Sequence, residues 1–156
     1  MKKKFLPLFI AMLCTVCLCA FTGCNSGKVV KTEIDEKTCY VFTAKSENFQ
    51  AGATVADYLK TLKEKGELNY DGYDGEYGLY ITAVDGLKEE FSADFTSGKY
   101  WSLYLDFTES EGVIYASDNN ICEYNGKTYY YANYGFSGIP CLDGHSYILA
   151  YVPYGN

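Results

Sequence analysis

One stretch of this chain has helical spacing and the rest alternates as strands do, a contrast that narrows the fold more than any other feature. Val55, Tyr58, Leu59 and Leu62 fall at i, i+3, i+4 and i+7, a single apolar stripe, while Lys60, Lys63 and Glu64 point away from it. Thr54 is a good N-cap, Asp57 completes a capping-box pattern and Gly66 supplies a stop, so the spacing predicts a helix over Val55–Lys65. Strand patterns of period two cover Thr38–Ala44, Leu79–Val84 (closed by Asp85-Gly86), Tyr100–Phe107 and Ser146–Val152, the last ended by Pro153. Asn125-Gly126 suits a type I′ turn and predicts a hairpin joining Ile121–Tyr124 to Lys127–Ala132. Asn69–Gly78 and Asn133–Gly144 read as Gly-rich loops. The expectation is a single α+β domain over residues 37–156, a mostly antiparallel sheet of about six strands with one covering helix.

The beginning of the chain carries an address. Lys2, Lys3 and Lys4 precede an apolar run from Phe5 to Ala20, and small residues lead into a cysteine, the layout of a secretory signal peptide. The run is short for a permanent membrane span, which needs about 20 apolar residues. Phe21-Thr22-Gly23-Cys24 resembles the lipobox of bacterial lipoproteins. That resemblance implies removal of residues 1–23, a lipid on the Cys24 sulfur and an extracytoplasmic protein anchored to the cell membrane. Residues 24–36, polar and mixed in charge, read as the lipidated tether.

Past residue 23 the chain has ten lysines against twenty acidic residues, a net charge of −10, and arginine is absent altogether. Arginine's planar fork is the usual grip on phosphate and carboxylate. A net anion without it is unsuited to nucleic acid or to anionic lipid headgroups. Of the four cysteines left after residue 23, Cys24 is assigned to lipid. Cys39, Cys122 and Cys141 allow three disulfide pairings, and the sequence leaves the choice open.

Catalytic chemistry finds few residues to work with. His145 is the one histidine, placed between a turn and a strand, and Ser117, Ser137 and Ser146 lie in no strand–turn–helix context that would expose a nucleophile. Cys141 and His145 with Cys39 and Cys122 could form a Cys₃His zinc set, but the close-spaced cysteine pair of such sites is missing. Asp71, Asp74 and Glu76 lie among glycines without the calcium-loop spacing. No catalytic residue, metal ligand or cofactor is assigned, and no enzymatic activity is expected. The candidate ligand-binding residues are aromatic rings set beside loop glycines: Tyr73 and Tyr77 in the first loop, Tyr134 and Phe136 in the second.

Three segments in order carry a resemblance: Thr54-Val55-Ala56-Asp57-Tyr58-Leu59, then Gly78-Leu79-Tyr80-Ile81-Thr82-Ala83-Val84-Asp85-Gly86, then Tyr100-Trp101-Ser102-Leu103-Tyr104-Leu105. With Leu142-Asp143-Gly144-His145 leading into the last strand, they resemble the transcobalamin-like C-terminal domain of bacterial surface proteins. The resemblance spans residues 38–154 and departs from that pattern at Asp106-Phe107-Thr108 and at His145. It implies a β-grasp-like fold and a non-catalytic surface lipoprotein that binds a ligand, a corrinoid or another flat molecule, as an accessory to import. The alternative expectation is a structural or protein-interaction module that meets a surface protein or glycan.

Overall fold

The computed structural model describes residues 28–155. Residues 1–27, and with them the signal segment, Cys24 and the first part of the tether, lie outside the described residues. In chain order the elements are β1 (Val30–Ile34), β2 (Lys37–Thr43), α1 (Val55–Glu64), β3 (Tyr70–Gly75), β4 (Gly78–Val84), β5 (Leu87–Lys88) and β6 (Glu90–Phe91). They continue with β7 (Gly98–Leu105), β8 (Glu109–Ser110), β9 (Val113–Ile114), β10 (Ala116–Tyr124), β11 (Lys127–Ala132) and β12 (Ser146–Tyr154).

These strands form three sheets, which corrects the expectation of one six-stranded β-grasp-like sheet with a covering helix. The main sheet has seven strands in the order β1-β2-β12-β7-β11-β10, with β6 added to β7. A second sheet is β3-β4-β5 and a third is the small β8-β9 hairpin. All pairings are antiparallel. Two readings account for most of the difference. The segment expected as the loop Asn69–Gly78 contains β3, paired with β4 through a register shift between Asp71 and Gly72. At that bulge a side chain on Gly72 would collide with the Tyr80 carbonyl, so glycine is required by close approach. Residues 30–34, expected within the tether, form β1 and pair with β2.

The helix forms as its sequence dictates. The Thr54 hydroxyl accepts from the Asp57 amide at 3.3 Å, and the Asp57 carboxylate accepts from the Thr54 amide at 2.9 Å. Together these close the capping box, and the Thr54 amide, with the Thr54 hydroxyl donating at 2.8 Å, holds the Asp57 carboxyl below its ordinary range. Val55, Ala56, Tyr58, Leu59 and Leu62 are buried against the main sheet, where Phe42 stacks between Tyr58 and Tyr147 at 5.8 and 5.5 Å. Leu59→Ala is expected to lower stability by about 2–5 kcal/mol, the usual range for emptying a core site. An unchanged denaturant midpoint would show that this face is not packed.

The opposite face of the main sheet carries a smaller core of Ile34, Cys39, Val41, Tyr104, Cys122, Tyr129 and Ile148. The edge strands β1 and β10 approach each other over it, so the sheet curls. The sheet therefore separates the cysteines. Cys39 and Cys122 lie in this core and Cys141 in the helix-side core. All three are buried free thiols, and burial pushes Cys39 and Cys141 up to about 12.

Candidate functional site

The second sheet is fastened beside β7 by hydrogen bonds at several points. Trp101 Nε1 donates to the Leu87 carbonyl at 3.1 Å, and Tyr40 Oη donates to Asp85 Oδ2 at 2.9 Å. Lys63 Nζ donates to the Tyr70 carbonyl at 2.5 Å. At the far end the β3–β4 turn reaches the single-turn 3₁₀ helix Phe136–Gly138, where the Leu79 amide donates to Ser137 Oγ at 2.9 Å. Gly78, at φ +89°, makes that approach possible, because a Cβ there would collide with the Ser137 side chain.

This clamp brings two distant loops together over an open cleft of about 500 Å³ between the β3–β4 hairpin, β7 and the end of β11. All four ring residues expected from the sequence line it: Tyr73, Tyr77, Tyr134 and Phe136. They do so in two different ways. Tyr77 is 87 % exposed, Tyr73 59 % and Tyr134 51 %, so these rings form the rim. Phe136 is buried in the helix-side core and belongs to the floor. Its loss would disturb packing, which rules it out as a clean probe of binding.

Sequence reading missed Trp101, Tyr100, Tyr80 and Tyr131, which also line the cleft. They sit on strands, where an aromatic has a core explanation, and strand spacing does not show where a ladder stops. Tyr73 and Tyr80 are cross-strand partners with ring centroids 5.5 Å apart. Tyr100 and Tyr131 join hydroxyl to hydroxyl at 2.6 Å. Burial, aided by the hydrogen bond to Glu89 at 2.6 Å, raises the Tyr80 phenol above its ordinary value. Burial and the Tyr131 contact do the same for Tyr100. Both are neutral phenols at physiological pH, able to donate or accept. Glu76 is the one charged side chain among the lining residues. The cleft therefore offers flat apolar faces, neutral hydroxyls and a carboxylate, with no cation to hold an anion.

Of the other sequence candidates, Glu76 lines the cleft and the rest lie outside it. His145 Nδ1 contacts Asp106 Oδ1 at 2.7 Å and its ring lies edge-on to Phe107 at 4.9 Å; Asp106 Oδ2 also accepts from the Ser146 amide at 3.0 Å. Asp106 thus ties the start of β12 to the end of β7. Asp74 pairs with Lys60 at 3.5 Å. Among the described residues no group of three or more His, Cys, Asp or Glu gathers as a metal site, so neither the zinc nor the calcium arrangement forms. No helix of the described residues is long and apolar enough to cross a membrane. Comparison with known proteins found no matching family model, no matching curated protein and no matching solved structure.

Proposed function

We propose that this chain is a non-catalytic, lipid-anchored extracytoplasmic receptor that captures a flat, neutral or cationic organic molecule in the aromatic cleft. The observation that carries the reading is convergence. Rings from two segments about sixty residues apart meet around one cavity of about 500 Å³, within the ordinary size range of small-molecule sites. Three of those rings are left exposed at its rim. Exposed tyrosines on segments joined by a glycine–serine clamp are placed to stack on a planar ligand. The charge of the lining favours a cation over an anion. A corrinoid, seating one edge of its macrocycle between Tyr77 and Tyr134, is one candidate within this class. The likeness to transcobalamin-like surface domains is part of the same proposal.

The test is calorimetric titration of corrinoids, aryl glycans and aromatic cations into the wild-type chain and into the Tyr77→Ala/Tyr134→Ala variant. Each stacked ring is worth about 1 kcal/mol, so the double variant should bind about thirtyfold more weakly. Its denaturant midpoint should not move, because both rings are exposed. Failure of the wild type to bind any of these compounds overturns the reading.

A further inference from the structure

The cleft touches Tyr100, Trp101, Ser102 and Leu103 in succession. Side chains of consecutive strand residues alternate between the two faces of a sheet. A cavity in contact with four in a row therefore lies along the edge of β7, not on one face of it. The ladders agree. On one side β12 pairs with β7 along its whole length, from Leu105 to Gly98. On the other side β6 pairs with Lys99 and Gly98, and β11 with Leu105 and Tyr104. Between those two partners, residues 100–103 have no strand paired with them on that side.

The direction of the backbone groups follows from one bond. The Asp106 amide donates to the Ser146 carbonyl, on the β12 side. In an antiparallel ladder successive residues alternate in the side to which both backbone groups point. Tyr104, Ser102 and Tyr100 thus face β12, and Trp101 and Leu103 direct their N–H and C=O groups into the interruption. Its length, four residues at about 3.3 Å each, is about 13 Å. Trp101 and Leu103 line the helix-side face there, and Tyr100 with Tyr131 the opposite face.

We propose that the cleft receives an extended, lysine- or arginine-bearing peptide segment of a partner protein, which adds a short strand to β7 opposite Tyr100–Leu103. This rests on the aromatic cleft being a binding site and gives it a second occupant, for which a planar molecule competes. A missing stretch of ladder is completed by main-chain hydrogen bonds, and the rings on either face take alternate side chains, as in β-strand addition elsewhere. Charge selects the occupant. Residues 28–155 carry ten lysines and twenty carboxylates, Glu76 lines the cleft, and no basic side chain does. A cationic segment is drawn in and an acidic one repelled.

The experiment uses the full chain in detergent and four capped hexapeptides: alternating Lys-Val, the same peptide N-methylated at one set of alternate backbone amides, the same peptide N-methylated at the other set, and alternating Glu-Val. A planar aromatic cation serves as a fifth probe. The Lys-Val peptide should bind, slow amide hydrogen exchange at Trp101 and Leu103, and compete with the aromatic cation. N-methylation in the register facing β7 should weaken binding about tenfold, the loss expected for two strand hydrogen bonds, and the Glu-Val peptide should bind more weakly still. Binding of the aromatic cation without the Lys-Val peptide would overturn strand addition while leaving the receptor reading intact. Peptide binding that ignores N-methylation in both registers would also overturn it. If none of the probes binds, strand addition falls, and the receptor reading falls with it when corrinoids and aryl glycans also fail to bind.

Discussion

Tyr147→Ala is expected to lower the stability of this protein by about 3–5 kcal/mol, the range for deleting a large buried ring. Tyr147 is fully buried on β12, stacked on Phe42 and edge-on to Phe107 at 6.2 Å. Its hydroxyl donates to the Pro140 carbonyl at 3.0 Å and accepts from the Leu142 amide at 2.8 Å. Alanine would remove the ring, open a cavity beneath α1 and leave both backbone groups without their partner. Tyr147→Phe separates the two effects. It keeps the ring and removes only the hydroxyl, and it should cost about 1–3 kcal/mol. Guanidinium denaturation of the three proteins reads both values. An alanine variant no weaker than the phenylalanine one would show that the ring packs against nothing.

A second large effect is expected with alkali. Cys39 and Cys141 ordinarily lose their protons near 9.0 and Tyr104 near 10.0, and burial raises all three to about 12 in the folded protein. Burial also raises the phenols of Tyr40, Tyr100 and Tyr147. The sign follows from which state holds the protons. Above pH 9 the unfolded thiols ionise while the folded ones stay protonated, and above pH 10 the phenols behave likewise. The unfolded state then binds fewer protons than the folded state, so stability falls as pH rises. Within its window each such group removes about 1.4 kcal/mol per pH unit. Denaturant midpoints should be level between neutrality and about pH 8.5, then fall steeply toward pH 11, where several groups act together. A midpoint constant to pH 11 would mean that these side chains reach solvent in the folded protein.

The sequence announced the helix because its signals are local. Thr54, Asp57 and the apolar stripe lie within one stretch of twelve residues, and the hairpin at Asn125-Gly126 is equally self-contained. What it concealed depends on partners far away. β3 is written Tyr-Asp-Gly-Tyr-Asp-Gly, a composition that reads as turn, and it becomes a strand because β4 supplies the ladder and the Tyr73–Tyr80 pair. β1 is polar and gains its order from β2. β12 runs through Pro153 to Tyr154, beyond the expected end at Val152, because β7 keeps pairing with it to Gly98 while its ladder with β2 ends at the Ala150–Cys39 pair. Pro153's missing N–H points to that vacant side, while Pro153 stays in register with Lys99 on β7. The cleft followed the same division. Its exposed rings were legible as aromatics beside loop glycines. Trp101, Tyr100 and Tyr131 were not, since only the assembled sheet shows that β11 leaves β7 after Tyr104.

The position of β12 sets the order in which this molecule can come into being. The strand written last among the described elements lies at the centre of the main sheet, pairing with β2 on one side and β7 on the other. Until Ser146–Tyr154 has been synthesised, β2 has only the hairpin with β1, and α1 has no finished surface to cover. The halves of the sheet are joined by contacts more than a hundred residues apart, so chain closure and not local structure governs folding. A chain of this topology cannot join β2 to β7 before Ser146–Tyr154 is present. A truncation before Ser146 removes the seam between both halves of the sheet at once.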